Sequence, residues 1–304
     1  NNAFSEINSK NTRYTKFEQA AILSAHNALQ QTGIDPTSEK VIVILSTTKG
    51  NVHLLENIDG YEPERIHLWR SAQVIAQFFG NPNEPLVISN ACISGASAQI
   101  TAKRLLESKA YDYAIVIGAD MLSKFVVSGF QSFKALSPEL CKPYDQNRCG
   151  LNLGEAAATI IYGSTEKPLS KNSIVLSAGC MANDANHISG PSRTGAGLYL
   201  AIKKVLSNTT ANAIAFVNAH GTATAYNDDM ESLALTSANM QHCPINSLKG
   251  FFGHTLGAAG VLESIISSRA IVDNTVLKTN NVSTPGTVTP IAVTLENESC
   301  SKQQ

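Results

Sequence analysis

The sequence lacks any apolar run near the roughly 18 residues that a membrane-spanning helix needs, and no signal peptide is recognisable. It also lacks an excess of charge of either sign, because 23 Lys and Arg residues face 24 Asp and Glu residues. A balanced surface of this kind argues against nucleic acid or an anionic membrane as a partner. We therefore expect a soluble, enzyme-sized protein with no membrane span and no nucleic-acid partner.

Paired cysteines are missing as well. The six Cys residues form no C-x-x-C pair and show no metal-ligand spacing. A chain of 304 residues with 43% hydrophobic residues can bury a large core and does not need disulfide bonds to fold. We expect no metal site and a reducing, cytoplasmic compartment. The sequence begins with Asn1 rather than Met, which leaves room for processing or further N-terminal residues.

Apolar, β-branched runs alternate with segments of helical spacing along the chain. Strands are predicted at 41–45, 86–88, 113–118, 156–162, 174–178 and 214–218, and helices at 17–29, 94–106, 195–206, 228–239 and 255–271. This alternation predicts an α/β fold with a parallel sheet. The polar stretch 164–172 is interpreted as a linker between an N-terminal half, residues 1–165, and a C-terminal half, residues 166–304.

Cys92 lies at the predicted turn between strand 86–88 and a helix rich in small residues. At the N-terminus of a helix, the dipole and the unpaired backbone N–H groups favour a thiolate and could hold an oxyanion. The position therefore suits a nucleophile. The alternative is a buried Cys that packs as a small hydrophobic residue.

Two further turns each contain a histidine. His220 follows a buried strand within the segment 218–224 (NAHGTAT), and His254 precedes a small-residue helix within 249–260 (KGFFGHTLGAAG). A single His of this kind is usually structural, but one Cys and two His on similar turns suggest a shared site. The aperiodic stretch 130–154 is predicted to be a loop bordering that site.

These motifs resemble those of the thiolase-fold condensing enzymes, the 3-oxoacyl-acyl-carrier-protein synthases of the elongating type. The family's A-C-S-S-G turn is similar to residues 91–95, its H-G-T-x-T turn to 220–224, and its K-x-x-x-G-H-x-x-G-A-A-G motif to 249–260. Its D-x-x-E pair is similar to Asp228 and Glu231, and its G-F-x-x-x-x-A-L-S…R-P-F-D motif to 129–145. The resemblance extends over residues 17–293.

The resemblance implies a thiolase-like five-layer αβαβα fold of two pseudo-equivalent halves and decarboxylative Claisen condensation with malonyl-acyl-carrier protein. Cys92 would carry the acyl chain, and His220 and His254 would stabilise the enolate that forms as carbon dioxide leaves. The remaining residues would support the reaction: Lys249 paired with Glu263, Thr222 and Thr224 on the pantetheine amides, Phe130 in the acyl pocket, and Asp228 and Glu231 as braces. Lys249 and Glu263 could equally form a structural ion pair. No separate cofactor is implied beyond the phosphopantetheine of an acyl carrier protein.

The sequence departs from the family at both ends. The usual first strand and the C-terminal G-F-G-G-T-N turn do not appear, and Asn227 replaces a Gly before Asp228. We expect a homodimer or a heterodimer with a related ketosynthase-like subunit, in fatty acid, polyene or polyketide synthesis. The alternatives are a noncatalytic or partner-dependent subunit of a heterodimeric ketosynthase, which the missing ends favour, and a thiolase or Cys hydrolase using the same nucleophile.

Overall fold

The structure, a computed structural model, describes residues 13–58, 60–167, 169, 173–184, 190 and 192–300. Part of the predicted linker, residues 168 and 170–172, lies outside the described residues. The chain forms two compact units, each discontinuous along the sequence. The first unit comprises Asn1–Val126, Gly154–Leu176 and Thr255–Ile265, and the second comprises Val127–Leu153, Ser177–His254 and Ile266–Gln304. A division of the chain at residue 165 stays a prediction.

The first unit is built on a four-stranded sheet in the order β2-β1-β3-β4. Its strands are β1 (Val41–Ser46), β2 (Leu86–Ile88), β3 (Tyr113–Asp120) and β4 (Ala156–Gly163). Strand β1 runs parallel to β2 and β3, as predicted, but β4 is antiparallel to β3. The chain re-enters the sheet with Ala156 opposite Asp120, at the end where β3 finished, and must therefore run back along it.

Helices cover both faces of this sheet. They are α1 (Lys16–Leu29), α2 (Leu68–Phe78), α3 (Ser94–Glu107) and α8 (Ala259–Val272). A further helix, α4 (Lys124–Ser132), follows β3, and both α4 and α8 continue into the second unit. Short 3₁₀ turns occupy Val52–Leu55, Pro63–Ile66 and Leu256–Ala258. Alternate residues of β1 and β3 enter two apolar clusters, one with α1 and α2 and the other with α3 and α8. The continuous apolar strands of the sequence follow from this burial on two faces.

Helices α3 and α8 approach one another through glycine. A Cβ placed on Gly260 would lie 2.5 Å from the backbone nitrogen of Ala96, and one on Gly95 would lie 2.7 Å from the nitrogen of Val261. Neither backbone could retreat without moving its helix. Gly95, in the motif 91–95, and Gly260, in the motif 249–260, are therefore required by the close packing of α3 against α8.

The second unit contains shorter strands. Strands β5 (Val217–Asn218) and β6 (Ile245–Asn246) pair in parallel, and β7 (Thr275–Val276) and β8 (Glu298–Ser299) pair antiparallel. Its helices are α5 (Ala196–Val205), α6 (Ala225–Ser237) and the four-residue α7 (Lys249–Phe252), with 3₁₀ turns at Leu206–Asn208 and Ala211–Ala213. The buried core of this unit is centred on Tyr144, Leu235, Met240, Cys243 and Ile245.

Three sequence predictions need correction here. The predicted strand 174–178 is wrong, because no described segment forms a ladder with it, and the predicted strand 214–218 is reduced to Val217–Asn218. A β-branched run becomes a strand only where a neighbour supplies hydrogen bonds, which local sequence does not encode. The predicted loop 130–154 begins within helix α4.

Among the described residues, no helix combines the length and the apolar character needed to cross a bilayer.

Gly260→Ala should lower the free energy of unfolding by about 2–4 kcal/mol, because the added methyl group overpacks a helix contact with no flexible atom to yield. Gly129→Ala is the matched control, since a Cβ there would meet nothing within 4 Å and the site lies inside helix α4. The control should be neutral or stabilising by about 0.5–1 kcal/mol. Urea unfolding measures both, and equal stabilities of the two variants would contradict the assigned contact.

Candidate active site

Cys92 occupies a tight turn between β2 and α3. Ala91 has φ of 47°, in the left-handed region that L residues rarely adopt, and Asn90 and Cys92 form an isolated bridge. The Ser94 hydroxyl closes the turn: it accepts a hydrogen bond from the Asn90 N–H at 2.7 Å and donates to the Ala91 carbonyl at 2.6 Å. Cys92 is half-buried in this turn and lies two residues before Ser94, the first residue of helix α3.

His220 follows β5 on a turn held by its backbone. The N–H groups of His220 and Gly221 each donate to the Glu231 carboxylate at 2.7 Å, one to each oxygen. Gly221 has φ of 42°, and a Cβ there would lie 2.5 Å from the Cβ of Ser247. The H-G-T motif therefore needs glycine both for its backbone conformation and for its close approach to Ser247.

His254 follows helix α7 on a second fixed turn. Gly253 has φ of 75°, and the His254 N–H donates to the Asn152 carbonyl at 2.7 Å. The side chain of His254 is only 1% exposed, as is that of Lys249 at the start of α7. The segment 130–154 thus supplies a backbone contact to this turn, as its predicted position beside the site requires.

The two histidine rings face each other edge to face, with centroids 5.1 Å apart. Burial lowers the pKa of His254 to about 3, and the positive charge of Lys249 contributes further. Burial likewise lowers the pKa of His220 well below its ordinary value, with contributions from Lys249 and His254. Both imidazoles are therefore neutral at pH 7, so each ring has one N–H to donate and one nitrogen to accept.

Two buried carboxylates lie beneath the His220 turn, at the start of helix α6. Asp228 accepts hydrogen bonds from the N–H groups of Thr222 at 3.0 Å and Tyr144 at 2.8 Å. Burial raises the pKa of Asp228 to about 7, and the neighbouring charge of Glu231 adds to the effect. Arg148 lies 3.8 Å from Asp228 through its Nε atom. These contacts fit the predicted bracing function of Asp228 and Glu231, which stays a prediction.

The remaining predicted residues divide between the two units. Thr222 and Thr224 share a hydrogen bond of 2.9 Å between their hydroxyls, and Phe130 lies half-buried in α4. Glu263 is buried on α8 in the first unit, and the half-buried Cys92 precedes α3 in the same unit. The structure therefore brings His220, His254, Lys249, Thr222, Asp228 and Glu231 together in the second unit. The predicted pairing of Lys249 with Glu263 stays a prediction.

Sequence reasoning missed Asp120, at the carboxyl end of β3. Its buried carboxylate accepts hydrogen bonds from the Thr47 hydroxyl at 2.8 Å, the Thr48 N–H at 2.9 Å and the Gly257 N–H at 2.7 Å. It thereby ties the end of β1 to the turn that leads into α8. A lone acid closing an apolar strand is the signal that could have identified it.

Comparison with known proteins identifies the family of the chain. The family model described as beta-ketoacyl synthase, N-terminal domain, matches residues 1–167, and the one described as beta-ketoacyl synthase, C-terminal domain, matches 173–283. The chain belongs to the beta-ketoacyl synthase family. This family membership confirms the resemblance stated from the motifs.

Curated relatives and solved structures agree with this membership. The chain is 32% identical over 225 residues to a mitochondrial 3-oxoacyl-[acyl-carrier-protein] synthase of Arabidopsis thaliana, over 68% of this chain and 48% of that protein. It is 26% identical over 310 residues to a putative polyketide beta-ketoacyl synthase 1 of Streptomyces halstedii, over 90% of this chain and 73% of that protein. The solved structure of the ishigamide ketosynthase/chain length factor matches 94% of this chain and 76% of that one, with 27% identity and a TM-score of 0.86.

These likenesses confirm the predicted thiolase-like α/β fold class. The aligned stretch spans about half of the Arabidopsis relative and about three quarters of the Streptomyces one. The activity, substrates and partners of this chain are accordingly matters of proposal.

Asp228→Asn should change how stability depends on pH. The native pKa of Asp228 is raised to about 7 from an ordinary value of 3.8, so the folded wild type binds a proton at this residue more tightly than the unfolded chain does. The resulting stabilisation of the folded state is complete below about pH 4 and is lost as the pH rises to about 7. The free energy of unfolding of wild type minus that of Asp228→Asn should fall by about 2–4 kcal/mol across this range. Chemical unfolding at several pH values measures it, and a difference that does not vary with pH would contradict the raised pKa.

Proposed function

We propose that this chain catalyses the decarboxylative Claisen condensation of a Cys92-bound acyl chain with a malonyl thioester, giving a 3-oxoacyl thioester. The observation that carries the proposal is the pair of neutral, facing histidines on fixed turns. A decarboxylating enzyme needs donors for an enolate oxygen in a dry site, and two neutral imidazoles meet that need without adding charge to the ground state.

Cys92 is the proposed nucleophile. Its thiolate attacks the carbonyl carbon of an acyl thioester, the bond from that carbon to the carrier sulfur breaks, and the carrier leaves as a thiolate that takes a proton from solvent. Position at the beginning of helix α3 supports this assignment, because backbone N–H groups at a helix N-terminus stabilise negative charge on sulfur and on the tetrahedral oxygen.

His220 and His254 act in the second stage. As the malonyl carboxylate departs as carbon dioxide, electron density moves onto the thioester oxygen, where each imidazole donates its N–H. The enolate carbon then attacks the acyl carbon on Cys92, a C–C bond forms, and the Cys92 thiolate leaves. Burial keeps both imidazoles neutral, and the nearby charge of Lys249 adds to that effect.

The substrates are proposed to arrive on the phosphopantetheine of an acyl carrier protein, with no separate cofactor. Thr222 and Thr224 would bind the pantetheine amides, since their hydroxyls lie side by side on the His220 turn. Phe130 would contact the acyl chain, and Glu263 would pair with Lys249. The predicted cytoplasmic location stays a prediction.

A partner subunit is the second part of the proposal. One solved relative is the ishigamide ketosynthase/chain length factor, and this likeness favours a heterodimer of two related chains over an isolated subunit. A noncatalytic subunit is the alternative function, but the family's noncatalytic partners usually lack the cysteine that this chain keeps at position 92. Stoichiometric acylation of Cys92 would separate the two functions.

His220→Ala and His254→Ala should each still accept an acyl group on Cys92, while condensation with malonyl-acyl carrier protein falls by roughly 100-fold or more, as for a lost transition-state donor. The double variant should be little worse than the poorer single one, because both rings address one enolate oxygen. Mass spectrometry of the acyl-enzyme, together with carbon dioxide release and product formation, measures the two stages.

His242→Ala is the matched control, because His242 is exposed and its imidazole forms a hydrogen bond with the Asn212 side chain, away from the active-site residues named above. It should condense at the wild-type rate. If either active-site variant condenses normally, that histidine is structural. If both abolish acylation while decarboxylation persists, they serve Cys92 as its base, and a thiolase or hydrolase function is favoured instead.

A further inference from the structure

Glu231 receives more hydrogen bonds than its two backbone partners provide. Its Oε2 atom accepts from the Tyr144 hydroxyl at 3.0 Å and from the Asn227 side-chain amide at 3.0 Å, in addition to the Gly221 N–H. Glu231 is 4% exposed, so these donors replace water around its charge. The two side chains therefore contact the same oxygen that anchors the His220 turn.

Tyr144 is shaped for this contact. It is fully buried, its backbone has φ of 66°, and its N–H donates to Asp228 while its hydroxyl donates to Glu231. Its ring lies against Gly221, where an added Cβ would be 2.9 Å from the Tyr144 Cε2 atom. A left-handed backbone conformation is costly at a bulky residue. At Tyr144 this conformation allows one residue to contact Asp228, Glu231 and Gly221 together.

Asn227 joins the same network from helix α6. Its amide donates to Glu231 and, at 3.2 Å, to Asp228. Both residues also depart from the motifs quoted above, since the family's R-P-F-D has Phe at the Tyr144 position and Gly stands at the Asn227 position. The two departures add donors to one buried carboxylate.

We propose that the Tyr144 hydroxyl and the Asn227 amide are positioning groups for His220, acting through Glu231. They hold the Glu231 carboxylate fixed, so that its oxygens keep the backbone of His220 and Gly221 in place. His220 is then aimed at the enolate oxygen before the substrate arrives, which lowers the reorganisation needed in the reaction. The inference rests on the proposed condensation for its kinetic consequence, but not for its structural one.

Tyr144→Phe tests the proposal with one atom removed and the ring kept. We expect kcat for condensation to fall about 10-fold while the KM for malonyl-acyl carrier protein and the acylation of Cys92 stay within about twofold of wild type. Asn227→Ala should behave alike. Ser232→Ala is the matched control, because Ser232 has a buried hydroxyl on the same helix that bonds Asp229 and Thr289 but not Glu231. It should leave kcat unchanged.

A second readout does not depend on activity. The charged neighbour of Glu231 on α6 is Asp228, and Arg148 in turn lies 3.8 Å from Asp228 and contacts Asp229. Asp228, whose pKa is raised to about 7, ionises between pH 5 and pH 8 and so places a second negative charge beside Glu231. The Tyr144 donor matters more once that charge is present, so Tyr144→Phe should lose more thermal stability at pH 8 than at pH 5, by about 2–3 °C in Tm. The deficit of Ser232→Ala should be the same at both values.

The outcomes separate the two proposals. Wild type that does not condense would remove the proposed function, and the pH-dependent deficit of Tyr144→Phe would still decide the positioning role. Wild-type kcat in both Tyr144→Phe and Asn227→Ala, or a stability deficit that does not vary with pH, would overturn the inference. Loss of acylation together with condensation would reduce Tyr144 to a general packing residue and would equally overturn it.

Discussion

The carboxylate of Glu231 is the point on which the second unit's candidate site depends. A turn that carries a histidine into a site leaves backbone N–H groups without partners of their own, and burying them unpaired would cost roughly 1–3 kcal/mol each. Helix α6 supplies Glu231 for His220 and Gly221, and Asp228 for Thr222. The H-G-T motif thus supplies the backbone donors and the D-x-x-E motif the carboxylate acceptors of one set of hydrogen bonds, and each motif needs the other to satisfy its buried polar groups.

The same burial that fixes these turns sets their chemistry. Imidazoles withdrawn from water beside a lysine cannot hold a second proton at neutral pH, so they remain donors of one N–H each. Burial also raises the pKa of Asp228 and so favours its neutral form. Glu231 beside it accepts hydrogen bonds from two backbone N–H groups and two side chains. The second unit therefore places two neutral imidazoles next to a buried pair of acidic side chains, of which Asp228 has a raised pKa.

Much of this organisation could be predicted from sequence, and the failures have physical causes. Strands β1 and β3 were predictable because burial on both faces leaves continuous apolar runs, and the turns at Cys92, His220 and His254 because each carries glycine or small residues at fixed spacing. The direction of β4 was not predictable, since it depends on where the chain returns to the sheet. Nor were the contacts of Tyr144 and Asp120, which join positions 84 and 137 residues apart. Such pairs are set by tertiary structure and leave no local periodicity.

The central claim is that Cys92 carries the acyl chain, and acyl-group mapping tests it most directly. The purified protein would be incubated with the hexanoyl thioester of N-acetylcysteamine, digested, and each of its cysteine-containing peptides weighed by mass spectrometry. The account predicts one hexanoyl group on Cys92 and none on the other five cysteines. When malonyl-acyl carrier protein is added, the hexanoyl group should leave Cys92 and appear in the 3-oxoacyl product on the carrier. Hexanoyl label on another cysteine with Cys92 unmodified, or a label on Cys92 that malonyl-acyl carrier protein never discharges, would contradict it.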